Sequence, residues 1–185
     1  MRQFLLFVVL PLLVLLGGCS TFSPTLLRPA HVTALDHFKL AGRISVSANG
    51  TNSYGNFEWQ RVATQDTLAL TTPLGQTVAL IQRDASGITL TANTQTRHAE
   101  NVEQLTEDML GWPLPLDNLS WWISGTPAPN SPSQMRAQGF EQNGWQIDYR
   151  QWQSGPSGVR PGVVMLERAN LSIRIAINNW EQQIP

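Results

Sequence analysis

The sequence predicts a mainly β protein, a curled and mostly antiparallel sheet interrupted by two helices, and three observations predict it. Apolar and polar residues alternate with period two in run after run. Short turns containing Asn, Gly, Pro or Asp separate those runs, and only two segments in the middle of the chain switch to a helical period.

The first run alternates Phe38, Leu40, Gly42, Ile44 and Val46 with Lys39, Ala41, Arg43, Ser45 and Ser47, so one face is buried and the other is wet. Asn49-Gly50 is a strong hairpin signal, and Tyr54–Arg61 then places Phe57 and Trp59 on one face. The same grammar gives strands at Leu68–Thr71, Gln76–Arg83 and Ile88–Ala92, with turns at 72–75 and 84–87. Five strands are thus expected before any helix. In Asn101–Leu110 the period changes, setting Val102, Leu105 and Met109 on one side of a helix that Gly111 ends. Pro115–Ile123 is a second, shorter helix with Leu116, Leu119, Trp122 and Ile123 on a shared face. Strands return at Met135–Gln142, Trp145–Trp152, Val163–Arg168 and Leu171–Trp180.

A meander of nine or ten strands is expected to curl, because twisted open sheets of that width seldom stay flat. The concave side then needs a filling. Periodicity leaves two fillings open, a core of side chains and the two helices, which it favours, or a hydrophobic ligand as in lidded half-barrels and lipocalins.

The amino terminus has a different character. One base, Arg2, precedes the apolar stretch Phe4–Leu16, which ends in Leu16-Gly17-Gly18-Cys19. That stretch is short of the roughly 20 residues a spanning helix needs, and small residues follow it, so residues 1–18 are expected to be a signal peptide. The tetrapeptide resembles the lipobox of bacterial lipoproteins, in which the cysteine is acylated after cleavage. Cys19 is the sole cysteine, so no intrachain disulfide is available. Ser20 follows where lipoproteins kept at the inner membrane of enteric bacteria typically carry Asp, and the outer membrane is the expected destination. Residues 19–29, rich in Ser, Thr and Pro, read as a lipidated tether, and residues 30–185 as a single domain.

Composition excludes several classes. Removing residues 1–18 takes away one base, Arg2, and leaves 11 basic against 13 acidic side chains, with Lys39 the sole lysine. No basic footprint for nucleic acid and no phosphate-binding glycine loop with lysine is present. His31, His37 and His98 lack metal-ligand spacing, no Gly-x-Ser-x-Gly elbow occurs, and Glu100, Glu103, Glu107 and Asp108 read as the wet face of the first helix, so no enzyme is expected. Charged residues make up 14% of the chain, against about 25% in an average domain, which suits a protein that handles something apolar.

Several runs, in order, carry a resemblance. They are Phe38-Lys39-Leu40-Ala41-Gly42-Arg43-Ile44-Ser45-Val46, Phe57-Glu58-Trp59 and Leu68-Ala69-Leu70-Thr71-Thr72-Pro73-Leu74-Gly75-Gln76 in the first half. Leu110-Gly111-Trp112-Pro113-Leu114-Pro115-Leu116, Trp122-Ile123-Ser124-Gly125, Gly144-Trp145-Gln146-Ile147-Asp148-Tyr149 and the closing Asn179-Trp180 follow. Behind a lipobox this ordered set resembles the LolB family of outer-membrane lipoprotein receptors, over essentially the whole mature domain. The resemblance implies an antiparallel half-barrel of the LolA/LolB kind, with helices covering an apolar cavity. It implies a monomer on the periplasmic face of the outer membrane, held by acyl lipid on Cys19 and needing no other cofactor. Its partners would be the periplasmic carrier LolA, the acyl chains of the lipoproteins LolA delivers, and outer-membrane phospholipid.

Two sets of residues follow as candidates. Pro73-Leu74-Gly75 sits between two strands, where Pro fixes a turn and Gly permits positive φ; Leu74 is either displayed at the tip or folded back onto the core. In the family the equivalent leucine is assigned to membrane insertion, which implies display. Phe38, Leu40, Ile44, Phe57, Trp59, Leu68, Leu70, Leu105, Met109, Leu119, Trp122, Trp145, Ile147 and Ile175 are expected to face inward, some as core and some touching acyl chains. Arg43 faces the other way, as a solvated strand residue or a docking contact for the carrier. Competing readings are a structural or assembly lipoprotein that binds only proteins, and a lipocalin-like carrier of small ligands. A voidless interior favours the first, polar groups deep in a cavity the second, and an apolar cavity beside Leu74 favours sorting.

Overall fold

The computed structural model describes residues 36–155 and 158–182. Cys19, His31, the expected signal peptide and the expected tether lie outside the described residues. Eleven strands form one sheet: β1 His37–Ala48, β2 Thr51–Val62, β3 Gln65–Thr71, β4 Thr77–Asp84, β5 Gly87–Ala92, β6 Gln95–Ala99, β7 Ser133–Arg136, β8 Gly139–Gln142, β9 Trp145–Gly155, β10 Gly158–Arg168 and β11 Leu171–Gln182. Their order is β6-β5-β4-β3-β2-β1-β11-β10-β9-β8-β7, and every pairing is antiparallel. The class read from the sequence, mainly β with one antiparallel sheet, is the class observed.

This order explains where the helices lie. Pairing of β1 with β11, Ile44 opposite Ile175, puts these two strands mid-sheet and leaves β6 and β7 as the edges. The segment linking those edges, residues 100–132, therefore has to cross the open side of the curled sheet, and it carries both helices, α1 Val102–Leu110 and α2 Leu116–Trp122. At the start of α1 the Asn101 side chain accepts from the Gln104 amide at 3.0 Å, and Gly111 ends the helix. Val102, Leu105, Leu116, Leu119, Trp122 and Ile123 are all buried against the sheet, whose concave face supplies Phe38, Leu40, Trp59, Leu68, Ile81, Leu90, Ile147 and Leu166.

Two elements differ from the sequence reading. β6, Gln-Thr-Arg-His-Ala, has no apolar alternation and its first four residues are exposed, because an edge strand that packs only Ala99 toward the core needs no continuous buried face. Met135–Gln142 is a hairpin rather than one strand, turning at residues 137–138 between β7 and β8. The exposed β7 pairs on one side only, whereas in β8 Gly139, Phe140 and Gln142 are buried. Six strands, not five, precede the helices.

The strands give the sheet two ends. His37, Val62 and the β4–β5 turn lie at one, the amino-terminal end. The Asn49–Gly50 turn and the β3–β4 loop lie toward the other, the loop end. Asn49 and Gly50 both have positive φ, 49° and 81°, as a two-residue hairpin turn demands.

Candidate functional site

The concave side holds a cavity lined only by apolar side chains: Leu40, Ile44, Phe57, Trp59, Leu68, Leu70, Leu114, Leu119, Ile123, Ile175 and Ile177. Strands β1, β2, β3 and β11 form its wall, and Leu119 of α2 forms its roof with Leu114 before the helix and Ile123 after it. The cavity has a volume of about 20 Å³. That suffices for one or two waters, each of which takes about 10–15 Å³. The interior is therefore nearly filled, close to the core that periodicity favours, with an apolar seam between roof and wall.

Of the fourteen residues expected to face inward, eight line the cavity: Leu40, Ile44, Phe57, Trp59, Leu68, Leu70, Leu119 and Ile175. Phe38, Leu105, Trp122, Trp145 and Ile147 are buried in the surrounding core, and Met109 packs half-buried against it. Three lining residues were not among the candidates. Ile123 and Ile177 carried a signal, the apolar helix face and the β11 alternation. Leu114 carried none, since it sits between two prolines outside any period. Its place is set by tertiary contact: the buried Thr106 hydroxyl donates to Val102 O at 2.8 Å and accepts from the Leu114 amide at 2.8 Å.

At the amino-terminal end the cavity gives way to a charged cluster that sequence reasoning missed. Asp66 is 1% exposed; its Oδ1 accepts from Trp59 Nε1 at 2.9 Å and lies 3.7 Å from Arg61 Nη1. Its Oδ2 lies 3.6 Å from Arg83 Nε, a Coulombic contact beyond hydrogen-bond range. The same guanidinium reaches Asp117 in the first turn of α2, Nη2 to Oδ1 at 2.6 Å, so Arg83 ties the roof helix to the wall. A signal existed, since Asp66 shares parity with Leu68 and Leu70, and Arg83 with Ile81. Beside the cluster, Asp84 caps the β4–β5 turn by accepting from the Ser86 hydroxyl and amide, which holds its carboxyl below the usual carboxylate range.

The other end of α2 is fastened by buried neutral groups. Trp122 Nε1 donates to Gln142 Oε1 at 2.8 Å, and the Tyr149 hydroxyl donates to Trp122 O at 2.7 Å. Gln142 also accepts from the Ala128 amide and donates to Ala128 O and Ser131 O, fixing the segment after the helix. Roof and wall are thus joined by an ion pair with the half-open Asp117 at one end, and by a buried hydrogen-bond knot at the other.

Four residues beyond Leu70, the wall becomes the β3–β4 loop. Gly75 N donates to Thr72 O at 2.9 Å and Thr72 N donates to Gln76 O at 2.8 Å, closing a tight turn with Pro73 at its second position and Gly75 at φ +87°. Leu74 is left 92% exposed. Arg43 is exposed on the convex side, and among the described residues no group of three His, Cys, Asp or Glu is placed to hold a metal ion.

The chain is thus an antiparallel sheet covered by two helices with an apolar seam between them. A solved LolA superfamily protein from Nitrosomonas europaea superposes with a TM-score of 0.53 over 83% of this chain and 89% of its own, at 10% identity, which establishes the fold. The family model described as outer membrane lipoprotein LolB matches residues 36–180. The chain is 37% identical to the outer-membrane lipoprotein LolB of Chromobacterium violaceum, over 94% of this chain and 97% of that one. It is 36% identical to the protein of that name in Thiobacillus denitrificans, over 90% and 91%. The chain belongs to the LolB family. Membership favours the reading of a receptor for lipoproteins over that of a purely structural lipoprotein.

Proposed function

We propose that this protein takes the acyl chains of a lipoprotein from the soluble carrier LolA into the seam between α2 and the sheet and releases them into the outer membrane. It does so from the periplasmic face, held there as a monomer by lipid on Cys19. The observation that carries this reading is the wholly apolar cavity whose wall runs, within four residues of Leu70, into the exposed Leu74.

The physical need is plain. Each methylene contributes about 0.8 kcal/mol to staying out of water, so a multiply acylated terminus carries tens of kcal/mol and does not cross the periplasm unshielded. A seam without polar groups shields the chains without selecting among them. One acyl chain is many times the size of the one or two waters the seam accommodates, so the seam has to open. Opening at the Asp117 end breaks one half-solvated ion pair, whereas opening at the Trp122 end breaks several buried hydrogen bonds; α2 therefore lifts from its first turn. Arg83 then stays beside Asp66. Transfer needs no nucleotide and runs from weaker to stronger acyl binding, ending in the bilayer. The Pro73-Leu74-Gly75 loop leads the chains out by inserting Leu74 among the lipids.

The test uses a form lacking residues 1–19, mixed with carrier loaded with radiolabelled lipoprotein and then with liposomes. Cargo is expected to move to this protein, and Leu74→Glu is expected to accept it but fail to deliver it. A folded domain that takes up no cargo would overturn the reading in favour of a structural lipoprotein.

A further inference from the structure

Large exposed apolar residues are few among the described ones: Tyr54 at 68%, Val62 at 38%, Leu74 at 92%, Val78 at 43% and Met135 at 59%. Three of these five gather at one corner. Asn56, two residues after Tyr54 on the same face of β2, pairs with Thr71 and donates from its side chain to Thr72 O at 3.4 Å, so Tyr54 stands alongside the β3–β4 loop. Gly55 between them lets the strands close up: a Cβ there would lie 2.3 Å from Thr71 O. Val78 follows directly after the loop, at a register shift where β4 joins β3.

The charge around this corner is one-sided. Residues 44–56 and 67–82 contain no charged side chain at all. The nearest charges on the face of Tyr54 are cations. Ser45 pairs with both Tyr54 and Arg174, and Arg43 pairs with Asn56. Both arginines are exposed, and neither forms an ion pair among the described residues. An aromatic residue with a hydroxyl, beside an apolar tip and flanked by unpaired guanidinium groups, matches a lipid–water boundary, where Tyr is enriched and cations meet phosphate.

We infer that Tyr54, with Val78, Arg43 and Arg174, forms a bilayer-resting surface beside Leu74, so that the domain docks on the membrane by a corner of its sheet rather than by one leucine. The inference rests on the membrane role proposed for the Leu74 loop. Tyr54 sits at headgroup level and the two arginines face lipid phosphate. The lipid anchor permits this pose. β1 begins at the opposite end, and eight residues separate His37 from Ser45, a span of about 26 Å at 3.3 Å per residue. The eighteen residues from Cys19 to Asp36 extend to at most about 60 Å, so the anchor does not hold the corner off the surface.

Depth-dependent quenching tests the surface in the full acylated chain, whose Cys19 is blocked by its lipid. Single cysteines replacing Tyr54, Leu74 or Val62 carry a fluorophore, and the protein is reconstituted in phosphatidylethanolamine–phosphatidylglycerol vesicles containing nitroxide-labelled lipid. Val62 is the internal control, an exposed apolar residue at the far end of the same strand. Positions 54 and 74 are expected to be quenched severalfold more than position 62. Arg43→Glu with Arg174→Glu is expected to lower membrane occupancy at position 54 about fivefold per charge on anionic vesicles, and little on neutral ones. If 74 is quenched and 54 is not, the corner surface is wrong and the loop reading stands. If neither is quenched more than 62, both fall.

Discussion

The two ends of the half-barrel use opposite chemistry. The amino-terminal end buries charge: Asp66 sits under Arg61 and Arg83, takes a hydrogen bond from Trp59, and is linked through Arg83 to Asp117 on the roof helix. At the loop end, two charge-free stretches surround the cavity's approach, and apolar side chains stand in solvent. Buried charge is expensive to rearrange, so Asp66 with its two arginines acts as a fixed floor, while the solvent-exposed Asp117 contact above it is the cheap one to break. Exposed apolar surface gains by leaving water, so the second end is suited to meet another apolar phase. On the proposed function, delivery to the membrane belongs at the loop end, and fold stability at the floor.

This contrast can be broken by substitution, and the effects should fall in order. The largest is at the floor: Asp66→Ala strips two guanidinium groups and an indole N–H of their partner. It is expected to cost about 3 kcal/mol, at the lower bound for breaking a buried pair because both arginines keep some solvent contact. The midpoint of urea unfolding reads that loss, and an unchanged midpoint would show that the floor is not what stabilises this end. Next comes the hydrogen-bond knot. Gln142→Ala leaves Trp122 Nε1 and the Ala128 amide buried without acceptors, for an expected loss of about 2 kcal/mol on the same measurement.

Asp117→Asn touches only the half-solvated ion pair and is expected to cost under about 1 kcal/mol. If α2 lifts from its first turn, this variant also takes up acyl chains faster than the parent in stopped-flow binding of a fluorescent fatty acid; equal or slower uptake would place the hinge elsewhere. Leu74→Glu closes the series, within about 0.5 kcal/mol of the parent because an exposed loop tip has no packing to lose. Its thermal midpoint should be unchanged while delivery to liposomes is lost, which separates the two ends most sharply.

Much of this architecture is legible residue by residue. Period two in Phe38–Val46 and Leu171–Ile177 assigned faces that the strands keep, whereas a bulge after Ile177 reverses the parity and turns Trp180 toward the core, and Gly111 marks where α1 ends. Where a residue's environment comes from one neighbouring face, alternation reports it. β6 and β7 escaped because edge strands have no second partner to impose a pattern, and without β7 the turn into β8 was not seen. Alternation also places a side chain inside without saying what it meets there. Trp122 and Leu119 share a helix face, yet Leu119 lines the seam while Trp122 is tied to Gln142.

The sequence by itself determined the strand-rich class, the alternating faces, the two helices, the turn at Pro73-Leu74-Gly75 and the family to which the chain belongs. These depend on local periodicity and turn chemistry, which are written within a few residues. Only the tertiary structure decided that β1 pairs with β11, and hence that the helical segment must bridge two open edges across the concave side. Asp66, Arg83 and Asp117 likewise meet only when a strand pairing and a helix docking coincide. Pairings between distant segments are chosen by the summed burial of the whole sheet, and no local stretch of residues carries that sum.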